Sequence, residues 1–135
     1  MELSFNWLKE YAQKNDQYGS SIYSTVIKLI KEFCDEEKII FFYPKSYRNP
    51  DKMEYILFFD NGYMCLRKEN QEYKLKRYYC NVLSKAIVTT KFIDNIELVV
   101  NYDNGQQLIF NNQADSSFDM EEVYSRYIKE LNKVV

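Results

Sequence analysis

The sequence predicts an α+β fold: two helices, then about seven antiparallel strands, then one closing helix. Three observations predict it. Apolar residues recur at helical spacing as far as Phe33. After Lys38 the period shifts to short runs rich in β-branched and aromatic residues. Asn61-Gly62 and Asn104-Gly105 each stand between two such runs, where a tight hairpin turn needs positive φ. A chain of 135 residues suits one domain with a buried core.

The elements follow in order. Leu3, Trp7, Leu8, Tyr11 and Ala12 form the apolar stripe of a first helix. Gly19-Ser20-Ser21 breaks it and offers a hydroxyl cap for a second, whose stripe is Ile22, Val26, Leu29, Ile30 and Phe33. Asp35-Glu36-Glu37 ends that helix as a solvated terminus. Residues 39–43 form a first strand closed by Pro44, and residues 53–59 a second. Residues 63–67 return through the Asn61-Gly62 turn, and residues 73–79 alternate, with lysines on one face and Tyr73, Leu75 and Tyr79 on the other. A polar stretch around Ser84-Lys85 precedes a strand at 86–90, and Asp94-Asn95 turns the chain. Ile96, Leu98, Val100 and Tyr102 then share one face of a strand that returns at 107–110. Asp115-Ser116-Ser117 offers a cap, with Asp119 at capping-box spacing from Ser116. The last helix buries Met120, Val123, Tyr127, Ile128 and Leu131.

Seven antiparallel strands curl into a barrel or fold into two packed sheets. The strand grouping, the hairpin over Asp103-Asn104-Gly105 and the helix at 118–131 directly behind it resemble a pleckstrin-homology-like domain, in the compact form found in small bacterial proteins. The resemblance covers residues 39–131. It implies a β-sandwich or barrel with a C-terminal capping helix over residues 38–135. The helices of residues 1–37 lie outside the resemblance and are expected to pack on that core as an extension within one compact domain. An α+β sheet with three helices on one face is the alternative.

Composition excludes several chemistries. With no histidine there is no Ser-His-Asp or Cys-His nucleophile and no His-ligated zinc. Cys34, Cys65 and Cys80 form no C-x-x-C pair and leave a tetrahedral zinc site one ligand short, so they are expected to be reduced, buried thiols. Gly19, Gly62 and Gly105 are isolated, which excludes a glycine-rich phosphate loop. The expectation is a non-enzyme with no cofactor and no metal. No apolar run reaches transmembrane length and the first residues do not resemble a signal peptide, so the expected location is cytoplasmic.

Charge is uneven along the chain. Residues 45–91 hold 10 Lys and Arg against 5 Asp and Glu, whereas the flanking segments carry net charges of −2 and −5. Lys45, Arg48, Lys52, Lys74, Lys76 and Arg77 are therefore the candidate anion-binding residues. In the resemblance, Lys45, Arg48 and Lys52 occupy the loop that holds phosphates in lipid-binding members. The acidic ends could equally pack beside the basic strands and neutralise them. The leading expectation is a small binding or scaffold module for a protein or peptide, with Tyr43, Tyr47 and Tyr78 as aromatic anchors and Trp7 and Leu8 as a contact for the extension or a homodimer. The alternative is electrostatic binding of an anionic surface, a membrane headgroup or nucleic acid.

Overall fold

The computed structural model describes residues 3–15, 22–49, 51–90 and 94–135. Gly19, Ser20 and Ser21, expected to break and cap the first helices, lie outside the described residues. Helices α1 (Phe5–Asn15) and α2 (Ile22–Phe33) lead into a 3-10 turn at Glu36–Lys38. Four strands follow, β1 (Phe41–Lys45), β2 (Glu54–Phe59), β3 (Gly62–Glu69) and β4 (Glu72–Tyr79), paired in sequence order as one antiparallel sheet. A second sheet holds β5 (Val82–Thr89), β6 (Ile96–Tyr102) and β7 (Gln107–Asn111), also in order. A 3-10 turn at Phe118–Met120 feeds α3 (Glu121–Val134). The expected α+β order of two helices, seven antiparallel strands and a last helix is present, and the two sheets do not close into a barrel.

The register defines two faces of the first sheet. Phe41 and Tyr43 align with Phe58 and Ile56, then with Tyr63 and Cys65, then with Tyr78 and Lys76. This inner face meets the second sheet and α3: the Tyr43 ring lies 4.7 Å from Phe110 and 5.6 Å from Tyr124, and Tyr63 lies 4.8 Å from Tyr102. The outer face carries Phe42, Tyr55, Leu57, Met64 and Leu66 and receives α1 and α2, with Phe5 6.1 Å from Phe42 and Cys34 Sγ 3.7 Å from Met64 Sδ. The N-terminal helices thus cover a sheet that the C-terminal elements cover from behind. That is why Tyr55-Ile56-Leu57-Phe58 reads as an unbroken apolar run and not an alternating one.

Several local expectations are corrected. Pro44 lies inside β1 and does not end it, because β1 is an edge strand and its proline needs no ladder donor. Its carbonyl accepts the Tyr124 hydroxyl. Ser84 and Lys85 belong to β5, paired with Asn101 and Val100. Phe33, expected in the buried stripe of α2, is 66% exposed at the rim of a cleft. The capping box does not form: Ser116 donates to the Asn112 carbonyl, while Asp119 is engaged by Arg48 and Ser117.

Candidate functional site

The basic segment does not assemble into one surface. Side chains alternate along β4, so Tyr73, Leu75, Arg77 and Tyr79 share the outer face of the sheet, and Lys74, Lys76 and Tyr78 share the inner one. Arg77 therefore points away from the two lysines with which the sequence groups it. Lys45, at the end of β1, lies 3.8 Å from Asp115 and donates to the Ile109 carbonyl. Arg48 lies 2.6 Å from Asp119 and 2.9 Å from Ser117 Oγ. That hydrogen bond holds the Asp119 carboxyl below its ordinary value. Both acids come from the acidic C-terminal third, so these two cations are neutralised from within the chain. Lys74 pairs with Glu69 at 3.2 Å, in a row where Arg67 also meets Glu69 at 3.1 Å and Glu54 at 3.7 Å. Lys52 is exposed, and Lys76 rests 5.1 Å above the Tyr78 ring.

The aromatic anchors are placed differently from the expectation. Tyr43 is fully buried and its hydroxyl donates to Asp115 at 2.8 Å. Tyr47 is buried, with Trp7 4.8 Å and Tyr11 5.3 Å from its ring. Leu8 is buried in the core, and Trp7 is half-buried beside Tyr47, where it joins α1 to the loop after β1. Tyr78 is half-buried and stacks on Tyr63 at 4.7 Å. Tyr43, Tyr47 and Leu8 hold layers of the fold together and present no surface to a partner.

The three cysteines are free thiols. Burial, with Glu54 nearby, pushes the Cys65 thiol up to about 12, and burial raises Cys34 and Cys80 above their ordinary value. None is activated as a nucleophile. Among the described residues no three Cys, Asp or Glu side chains converge on a point that could hold a metal ion, and no helix is long and apolar enough to cross a membrane.

Two features that the sequence does not single out stand out in their place. The first is β5, exposed at every one of its 8 residues, with β6 on one side and no ladder partner among the described residues on the other. Beyond its end, the Thr90 N–H donates to the Asn95 carbonyl. Antiparallel alternation from that pair turns the N–H and C=O groups of Lys85, Ile87 and Thr89 outward to the free edge. Leu83 is 71% and Val88 55% exposed. The Lys85 ammonium, the only charge on the strand, is drawn back to the carbonyls of Asn132 and Val135 at the end of α3. The β-rich run Ala86-Ile87-Val88-Thr89 was the available signal, but no alternation marked its exposure.

The second feature is a cleft of about 640 Å³ on the outer face of the first sheet, where α2 ends. Arg77 is part of its lining, with Phe59, Asn61 and Tyr79 around it. The guanidinium carbon sits 4.4 Å from the Phe59 ring centre and 4.3 Å from that of Tyr79. Comparison with protein-family models, with curated proteins and with solved structures finds no match to this chain.

Proposed function

We propose that this protein is a non-catalytic, cytoplasmic binding module that takes an extended segment of a partner protein as an added strand beside β5. One observation carries the reading: an 8-residue strand exposed throughout, with one edge free among the described residues. Proteins usually blunt such an edge with proline, a bulge or outward charge. Beyond the irregularity at Val82–Ser84, β5 has none of these facing out, because its lysine is turned back to α3. Main-chain groups of Lys85, Ile87 and Thr89 supply the affinity in this mode, and the exposed Leu83, Ile87 and Val88 side chains supply selectivity. The four-then-three strand order followed by a helix supports the resemblance to pleckstrin-homology-like domains. Electrostatic binding of an anionic surface has less support, since Lys45, Arg48 and Lys74 each carry a carboxylate partner.

The test is selection of a random peptide library on the full chain, followed by hydrogen exchange and titration of the selected peptide. Binding is expected to protect the amides of Lys85, Ile87 and Thr89. Ile87→Pro removes an outward donor at an edge position that tolerates proline, and is expected to weaken binding by about tenfold or more. Protection confined to other strands, or unchanged affinity in a folded Ile87→Pro variant, overturns the proposal.

A further inference from the structure

Arg77 is a cation built into the fold without a counter-charge among the described residues. Its Nη1 donates to the carbonyl of Tyr78 and, at 3.3 Å, to that of Tyr63, and its Nη2 donates to Asn61 Oδ1. Gly62 makes room for this seat. It holds φ +134°, and a Cβ there would lie 2.0 Å from the Tyr78 carbonyl oxygen and 3.0 Å from Arg77 Nη1. Phe59 and Tyr79 cover the guanidinium as described above. Among the described residues every contact of Arg77 is neutral, and no carboxylate lies within ion-pair distance. Lys45, Arg48, Arg67 and Lys74, by contrast, all have one. Among the described residues, three hydrogen bonds leave two of the five guanidinium N–H groups open.

The cleft has a mixed lining, in which the apolar part includes two large exposed rings. Phe33 is 66% and Tyr79 72% exposed, and Cys34 and Met64 form part of the wall. Three other charges line the cleft. Asp35 accepts the Glu37 N–H as the cap of a 3-10 turn, while Asp60 and Lys38 are exposed and opposite in sign. The four charged lining residues sum to zero, so a polyanion such as a nucleotide phosphate gains little there and meets two aspartates. A single negative charge on a flat apolar body fits better. It would meet a pre-oriented arginine, with aromatic surface beside it.

We propose that this cleft is a small-molecule site for an aromatic carboxylate, whose carboxylate takes the two open N–H groups of Arg77 and whose ring packs on Phe33 and Tyr79. A free aromatic acid and a peptide ending in an aromatic residue share this chemistry. The site is separate from the β5 edge and does not rest on it.

The experiment is a backbone amide NMR titration of the isotope-labelled full chain. The probes are 3-phenylpropionate, 3-phenylpropionamide, acetate, N-acetylphenylalanine and AMP. Saturable shifts are expected with 3-phenylpropionate at residues 33–35, 59–62 and 77–79. The amide, which lacks the charge, and acetate, which lacks the ring, are each expected to bind about tenfold more weakly or worse. Tighter binding of N-acetylphenylalanine than of 3-phenylpropionate assigns the site to peptide ends, and the reverse assigns it to free acids; either supports the proposal. Phe33→Ser and Tyr79→Ser change exposed rings, leave the fold intact and are expected to weaken binding about fivefold each. Arg77→Lys keeps the charge and loses the fork, with a loss of about tenfold. Ile87→Pro leaves all of this unchanged. Equal binding of acid and amide, equal binding of acetate, tighter binding of AMP, or the absence of saturable shifts at these residues overturns the proposal.

Discussion

Two strands, β2 of the first sheet and β5 of the second, are built from similar residues and buried to opposite degrees. In β2, Tyr55, Ile56, Leu57 and Phe58 are each at most 1% exposed, while every residue of β5 is exposed. Both strands are rich in β-formers, so propensity does not separate them. Neighbours do. The first sheet has α1 and α2 on one face and the second sheet with α3 on the other. The second sheet is covered on one face, and β5 is its edge. A strand of this chain is therefore core or surface according to how many layers reach it. The N-terminal helices provide the layer that makes the first sheet an interior.

The largest expected effect tests that layering. Leu57 is fully buried on the face under α1 and α2, and Leu57→Ala is expected to cost about 2–5 kcal/mol of unfolding free energy by denaturant titration. Val88→Ala on β5 removes two methyl groups from a side chain that is 55% exposed, and is expected to cost about 0.5 kcal/mol or less. Similar losses for the two variants would break the comparison, since the helices would then add no burial to the first sheet.

A second expectation concerns the joint between the sheets. Asp115 is buried, accepting hydrogen bonds from the Tyr43 hydroxyl at 2.8 Å and the Asn111 N–H at 2.8 Å, with Lys45 at 3.8 Å. Burial raises its pKa above the ordinary 3.8, against the lowering by Lys45, Asn111 and Tyr43. The folded chain thus holds this proton more tightly than the unfolded chain. The stability attached to Asp115 accordingly falls as pH rises from 3.8 through the raised folded value, and is flat above it. The stability of the native chain minus that of Asp115→Asn is expected to shrink across that window, measured as unfolding midpoints in a pH series. Asp119, held low by Arg48, has the opposite sign: its stabilisation is lost as pH falls through its lowered value. A difference that grows with pH at Asp115 would mean that Lys45 outweighs burial there.

Period carried most of the fold in the sequence. Ile96, Leu98, Val100 and Tyr102 alternate and are buried, and Asn61-Gly62 turns where expected. What escaped had causes outside the local pattern. Ser84-Lys85 reads as a polar gap because a strand exposed throughout has no apolar rhythm, and only its ladder with β6 identifies it. Tyr124 was missed because its polar end is satisfied by the Pro44 carbonyl, 80 residues away. The split of Arg77 from Lys74 and Lys76 was legible from the two-residue period alone. The partners that make Arg77 distinctive were not, since Phe59 and Asn61 reach it across the sheet.

The smallest expected effect separates hydroxyls that hold the layers from one that does not. Tyr124 donates to the Pro44 carbonyl and Tyr127 to the Phe42 carbonyl, so each ties α3 to β1. Tyr124→Phe is expected to cost about 1 kcal/mol, because it leaves a buried carbonyl without its donor. Tyr55 is equally buried, stacked at 5.7 Å on Phe42 beneath the helices, yet its hydroxyl has no hydrogen-bond partner among the described residues. Burial raises its pKa well above the ordinary tyrosine range, so the group stays neutral. Tyr55→Phe keeps the ring and removes the unmatched oxygen. It is expected to leave stability unchanged or raise it by up to about 1 kcal/mol. The same substitution would then have opposite signs on the two faces of one sheet. A loss at Tyr55 as large as that at Tyr124 would show that the helical layer supplies a bond to this hydroxyl, and that α1 and α2 hold the outer face by polar contacts as well as by apolar packing.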